Sequence, residues 1–447
     1  MKRHRHDIRS AFKREFGTPE LWRSRAVVIG AAAAAGLVVV GFTRLAEIAF
    51  ELFTRFVAWS WWLTLLWMPL VCAAIVWATR RFAQGAAGSG IPQVMVALDP
   101  ALPQGERGRF VSLRLSLSKI LLTATGLLAG LSLGREGPSV QIAAGVMLAA
   151  RRFLPSQSVI NSRGLLIAGG SAGIAAAFNT PLAGVMFAIE ELARTPEQRS
   201  SGLIVAGIVL AGLIAVSIGG NATYFGVIHP GPIGMDLLWP GFLTTLVAGI
   251  AGGLFARLLL TSLRGGTRDF ASRLRGRFPI RFAAVCGAAV AVIGIVSHGA
   301  IFGSSYGSTR ALLDGSQAVA ADFGALKFLA TWLTVWSGAP AGIFAPSLAI
   351  GAGLGSNVAA LTHYPFAPAL IALGMVGFLA AATQAPLTSF IIVMEMVDGH
   401  AMVLSLMACA VVAGTISRVL SPPLYGALAQ LQLDAVQTKA TTPPAAS

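Results

Sequence analysis

Glu136 is the residue that most demands a chemical explanation. It stands in apolar sequence, inside Gly134-Arg135-Glu136-Gly137-Pro138. An ionised carboxylate in a membrane interior is costly, so such a residue is a functional candidate by default. Arg135 beside it is not an automatic partner, because neighbours in sequence on a helix point to different sides. A carboxylate at an anion site has a particular use. Ionised, it occupies the site as a tethered anion; protonated, it leaves and a free anion replaces it. Proton and anion movements are then coupled by competition.

Two further segments have the same punctuation. Gly88-Ser89-Gly90-Ile91-Pro92 reads as a helix start, with Ser89 as N-cap and Pro92 in the first turn, where its missing N–H costs nothing. Gly342-Ile343-Phe344-Ala345-Pro346 reads as another. Each start presents free N–H groups and the positive end of a helix dipole. Three of them converging would hold a small anion through amides and hydroxyls. That is firm enough to bind a dehydrated ion and weak enough to release it, where a full buried cation would hold too tightly.

Other polar residues in apolar surroundings need weighing. Glu190 and Glu191 close an apolar helix and precede Arg194 and Arg199. One reading is a charge cluster at the water boundary; the other makes one of them a proton acceptor on the cytoplasmic side. Lys119 lies between Leu117 and Leu121 with no evident partner. Tyr425 follows Pro422-Pro423-Leu424 and is either an interfacial tyrosine or a hydroxyl donor. Gly169-Gly170-Ser171-Ala172-Gly173 matches the G-x-S-x-G pattern of a hydrolase nucleophile, but small residues in helical sequence more simply mean helix packing. The six histidines show no H-E-x-x-H spacing, and Cys72, Cys286 and Cys409 suggest no disulfide or metal framework. No enzyme and no cofactor are expected.

The elements that must position these residues are membrane helices. The chain is 55% hydrophobic and 11% charged, against about 25% charged in a soluble domain. Apolar runs at Val27–Thr43, Phe56–Thr79, Leu203–Ile218, Pro240–Leu263, Phe282–Ser297 and Met402–Ile416 approach or reach spanning length. Others are broken among 51 Gly and 22 Pro, which predicts discontinuous helices lining a site. The net charge of +15 does not indicate nucleic-acid binding, because the basic residues flank apolar segments. Residues 1–25 hold eight Lys/Arg, Arg264–Arg281 holds six Arg, and Ile218–Trp239 holds none. The positive-inside rule puts the first two in the cytoplasm and the third outside. A cleaved signal peptide is not expected.

The second half echoes the first. Gly134–Gly145 aligns with Gly342–Gly353 at an offset of 208, keeping Gly, Pro, Ser, Ile, Ala and Gly in register. Ala175–Ala177, Pro181, Leu182 and Glu190 recur as Ala380–Ala382, Pro386, Leu387 and Glu395, at an offset of 205. Because the first half begins inside and ends outside, the second half starts with the opposite orientation. The expected fold class is an all-α polytopic membrane protein built as an inverted-topology repeat. The expected layout is a basic cytoplasmic segment at 1–25, membrane repeat 1 at 26–218, an extracytoplasmic linker at 219–239, membrane repeat 2 at 240–432 and a short cytoplasmic tail at 433–447. No appended soluble regulatory domain is expected.

The three glycine-proline motifs in this order, with Tyr425 near the end, resemble the CLC family of chloride channels and chloride/proton antiporters, over roughly residues 25–432. The resemblance implies a homodimer with a separate pore in each subunit, in a cell membrane, with both termini cytoplasmic. It makes Ser89 and Tyr425 side-chain ligands of a central chloride, joined by the amides of Ile343 and Phe344. The amides around Arg135 and Glu136 would hold an outer chloride. Glu136 falls on the gating glutamate, Glu191 on the internal proton-transfer glutamate that antiporters carry, and Lys119 on the family's intramembrane lysine. Ser89 is similar to the chloride-selective version of its motif. Gln93 and Met95 depart from the family's common acidic residues, leaving Lys119 without a carboxylate partner there. The expected partners are chloride, protons and the bilayer; the leading activity is antiport, with a passive chloride channel as alternative.

Overall fold

A computed structural model describes residues 19–155, 158, 160–193, 201–220, 223–231, 233–265, 269–316 and 319–441. The basic residues 1–18 and the pair Arg194 and Arg199 lie outside the described residues. Among the described residues eight helices are long and apolar enough to cross a membrane, and there is no β-sheet. The chain is an all-α, multi-pass membrane protein.

The first half runs α1 (Pro19–Trp59), α2 (Thr64–Phe82), α3 (Ile91–Leu98), α4 (Leu113–Leu128), α5 (Glu136–Ala149), α6 (Ser162–Phe178), α7 (Pro181–Phe187) and α8 (Ser201–Gly219). A single π turn, Ala188–Ala193, extends α7. The second half runs α9 (Leu238–Arg264), α10 (Phe270–Arg277), α11 (Pro279–Val296), α12 (Tyr306–Asp314), α13 (Phe323–Ser337), α14 (Phe344–Thr362), α15 (Ala367–Thr383), α16 (Pro386–Val397), α17 (Val403–Leu420) and α18 (Leu424–Thr441). Large apolar side chains such as Trp59, Trp239, Leu404 and Val419 are exposed on the outside of the bundle, as lipid or subunit contact requires.

Local sequence sets where helices start and stop. The Ser112 hydroxyl caps α4 by accepting from the Leu115 amide, and Asn161 caps α6 by accepting from Gly164. Both α6 and α15 end on a left-handed residue, Asn179 and Gln384, each two positions before the proline that opens the next helix. These paired stops carry the 205-residue offset.

Small residues then let the innermost helices touch backbone to backbone. A methyl group on Gly374 of α15 would lie 2.2 Å from the Gly351 carbonyl of α14. The same crossing in the first half puts one on Gly169 of α6 within 2.8 Å of the Ala143 carbonyl of α5. Gly173 fits in the same way against Ser139. The G-x-S-x-G match is therefore a helix-packing pattern. Ser171 is fully buried in mid-helix, so the hydrolase reading has no site.

The two halves contact each other reciprocally. Gly134 N donates to Gly342 O at 2.8 Å, and Gly342 N donates to Gly134 O at 3.2 Å, an antiparallel bridge between equivalent residues. The Glu190 carboxylate accepts from the amides of Leu387 and Thr388 at the start of α16, at 3.0 and 2.7 Å. Its counterpart Glu395 accepts from Leu182 and Ala183 at the start of α7, at 3.2 and 2.8 Å. Exchanged contacts of this kind are what an approximate twofold axis between two halves produces.

Candidate functional site

The Gly134–Gly342 bridge brings α5 and α14 together by their N-termini. A further bond, Ala341 N to Gly88 O at 3.1 Å, draws in the loop before α3. Three helix starts, at Ile91, Glu136 and Phe344, thus meet in one buried region. The glycines permit it: a methyl group would lie 2.5 Å from Gly137 O at Gly90, and 2.3 Å from Ser89 Oγ at Gly137. First-turn amides have no carbonyl of their own helix to bond, so three positive ends face one place. Ile343, as N-cap, and Phe344, as first residue of α14, supply two of these amides.

Ser89 is not the N-cap that its sequence suggests. Gly90 takes that position with φ of 113°, and no side chain caps α3. The left-handed turn at Gly90 separates Ser89 from the helix axis and leaves its hydroxyl for another purpose. That hydroxyl is buried without a hydrogen-bond partner. The same holds for Tyr425, only 1% exposed, on the first turn of α18. Its ring stacks on Phe344 at 6.0 Å and 11°. An interfacial tyrosine would keep its hydroxyl wet; this one does not. Two unpartnered buried hydroxyls beside helix N-termini fit a small anion, since buried polar groups rarely go without a partner.

Glu136 is fully buried and reaches across the bridge to the other half. Its Oε2 accepts from Ala345 N at 3.4 Å, while Oε1 has no partner. The carboxylate thus lies at the N-terminus of α14 as well as its own helix, where negative charge is favoured. Arg135 turns away, donating through Nη1 to Glu47 Oε1 at 2.9 Å and to Thr43 O at 3.4 Å. Its guanidinium lies over the Tyr224 ring at 5.7 Å. Glu47, 88 residues earlier in the sequence, gives no local sign of this pairing.

Lys119 is fully buried in α4 and finds backbone carbonyls, Ala86 O at 2.8 Å and Gly88 O at 2.5 Å. Gln93 Nε2 donates to Ala87 O between them. Three successive carbonyls leading into Ser89 are thereby held by side chains. A carboxylate at position 93 could not donate in this way. Gln141 braces the same region, donating to Gly85 O at 2.8 Å and Phe110 O at 2.7 Å.

The second half repeats the clamp. Lys327 of α13, also fully buried, donates to Ile301 O at 3.0 Å and Gly303 O at 2.7 Å. Gly303 O also accepts from Leu133 N at 3.2 Å, as Gly88 O accepts from Ala341 N. Gly303 and Ser305 have positive φ like Gly88 and Gly90. Lys327 lies at the 208 offset from Lys119, so the repeat itself could have found it.

Glu190 and Glu191 separate in role. Glu190 is bound to the α16 amides described above. Glu191 lines a cavity of about 180 Å³ with Met95, Asp99, Arg163, Gly426 and Gln430. Gly426, next to Tyr425 in the chain, places this cavity against the first turn of α18. Among the described residues no cluster of potential metal ligands occurs.

Known proteins are similar to this chain in sequence and in fold. The family sequence pattern described as voltage gated chloride channel matches residues 70–418. The H(+)/Cl(-) exchange transporter ClcA of Citrobacter koseri is 31% identical over 386 residues, covering 82% of this chain and 78% of that one. The protein of the same name from Cronobacter sakazakii is 30% identical over 386 residues, covering 82% and 79%. Among solved structures, a slow cyanobacterial Cl-/H+ antiporter matches with a TM-score of 0.79 and 25% identity, over 92% of this chain and 98% of that one. A CLC-type fluoride/proton antiporter matches in fold, with a TM-score of 0.71 at 22% identity over 91% and 97%.

Proposed function

Since the chain belongs to the CLC family of chloride channels and chloride/proton antiporters, we propose that it is a secondary active transporter exchanging chloride for protons. One observation carries the reading: a fully buried carboxylate, Glu136, bonded to a first-turn amide of the opposite half where three helix N-termini meet.

Central chloride is held by the hydroxyls of Ser89 and Tyr425 and the amides of Ile343 and Phe344. The amides around Arg135 and Glu136 hold an outer one. Ionised Glu136 occupies the outer position itself. Protonation weakens its claim on those amides, the side chain leaves, and chloride enters. Glu191 exchanges protons with the cytoplasm through its cavity and hands them toward Glu136. Lys119 contributes by fixing the Ser89 loop, with its charge close to the anion path but not in contact with it. The substrates are the two ions, and no cofactor takes part.

The layout follows the charge pattern: cytoplasmic residues 1–25, repeats at 26–218 and 240–432, an external linker at 219–239 and a cytoplasmic tail at 433–447, in a plasma or inner membrane. The protein acts as a homodimer, with exposed apolar residues such as Leu213 of α8 and Val411 of α17 available for subunit contact. A passive chloride channel is the second reading, favoured by one feature: Gln93 and Met95 stand where related antiporters commonly carry acids, and Lys119 bonds backbone carbonyls. The test is chloride uptake into liposomes with an acidic lumen and equal chloride on both sides. Accumulation of chloride driven by proton exit supports exchange. Equilibration without accumulation supports the channel.

A further inference from the structure

A second cavity, about 550 Å³, opens beside the Ser89 loop and has a different chemistry. Arg80 at the end of α2, Arg264 at the end of α9 and Arg275 of α10 all line it, and no carboxylate does. Among the described residues none of the three is paired with an acid. The acid nearest in sequence, Asp269, is occupied as the cap of α10, accepting from Ser272 N and Oγ at 3.1 Å each. Arg275 is held in place by Ser262 O at 3.3 Å. Burial is the main cause that lowers the proton affinity of its guanidinium; Cys286 opposes it, and the positive charge of Arg80 adds a smaller lowering. Three elements therefore bring like charges to one cavity, Arg275 half-buried and Arg80 and Arg264 exposed at its edge, and an anion bound there would offset their repulsion.

We propose that this cavity binds a phosphate-bearing anion, either the headgroup of an anionic phospholipid or a free phosphate compound. Guanidinium groups present flat forks of donors that match phosphate oxygens in pairs, and three of them suit a multivalent group better than a halide. The cavity is also far larger than one chloride needs. Its position gives the ligand an effect on transport. Ala87 lines it and adjoins Gly88 and Ser89; Ser337 and Gly338 line it and lead to Ala341, which bonds Gly88, and on to α14. A ligand here braces both loops that feed the proposed chloride site. That consequence rests on the transport reading above, whereas binding itself does not.

The experiment measures binding without transport. Purified protein in nanodiscs of phosphatidylcholine with phosphatidylglycerol is examined by native mass spectrometry for retained lipid. Protein in neutral detergent is titrated with pyrophosphate, reading thermal stability. Retained phosphatidylglycerol identifies a lipid headgroup, and a saturable pyrophosphate shift identifies a soluble phosphate compound; either supports the site. The double variant R80Q/R264Q is expected to weaken binding by about tenfold or more for the charges removed. Its stability without ligand, and its chloride flux in pure phosphatidylcholine vesicles, are expected to match the parent. R264Q alone, at an exposed helix end, serves if the double variant does not fold. Absence of both ligands from the parent protein, or undiminished binding in the variants, overturns the proposal.

Discussion

Replacing Lys119 by methionine tests how the Ser89 loop is held. The side chain keeps its approximate length and loses its charge and donors. Two bonds disappear, to Ala86 O and Gly88 O. Gly88 O keeps its bond from Ala341 N, so it is the Ala86 carbonyl that loses most. Hydrogen bonds to a charged donor contribute about 1.5–3 kcal/mol each, or about 3–6 kcal/mol for two. Against this, removing a buried ammonium relieves a desolvation cost of several kcal/mol. The net loss is then about 1–3 kcal/mol, concentrated on the loop that carries Ser89. If half of that appears in binding, chloride affinity falls by roughly two- to thirteenfold. Titration calorimetry with chloride on purified protein reads it directly, and a thermal melt reads the stability. Lys327→Met makes the same loss on the Gly303 loop, so it is expected to lower stability similarly and leave central chloride affinity nearly unchanged. Unchanged affinity in Lys119→Met, or equal loss in both variants, would refute the claim that each lysine serves its own loop.

Three further outcomes follow from the site. Glu136→Gln keeps the shape of the side chain and cannot release a proton, so chloride should still move while proton coupling disappears; intact proton pumping would remove Glu136 as the gate. Glu191→Gln should block protons and leave chloride flux in place, measured by a chloride electrode and a pH electrode on the same vesicles. Proton transport at the parent rate would exclude it from the path. Tyr425→Phe retains the ring stack on Phe344 and deletes one buried hydroxyl, so chloride affinity should fall roughly fivefold, for the loss of about 1 kcal/mol. An affinity equal to the parent's would show that this hydroxyl does not face the ion.

Much of this arrangement is legible in the sequence because glycine and proline mark helix starts plainly. The segments around Gly90, Glu136 and Phe344 read as N-termini, and the 208-residue repeat pairs the second with the third. What sequence misses is backbone direction and long-range pairing. Ser89 looks like a cap because nothing in Ser-Gly-Ile-Pro reveals the positive φ of Gly90. Glu190 and Glu191 look interchangeable, and only the turn of the helix sends one to the amides of α16 and the other to a cavity. Lys327 obeys the 208-residue offset, but its loop does not: Gly88-Ser89 returns as Gly303-Ser304, at an offset of 215. With just two residues kept and seven positions of slippage, that match falls below the noise of a glycine-rich chain. The Arg135–Glu47 pair spans 88 residues and leaves no periodic trace.

The most direct test of exchange uses purified protein in chloride-loaded liposomes placed in low chloride, with external pH recorded. Chloride leaving down its gradient should pull protons inward, so that external pH rises, and a protonophore should abolish the rise. Chloride efflux at a normal rate with no protein-dependent pH change would contradict the account and leave the passive channel in its place.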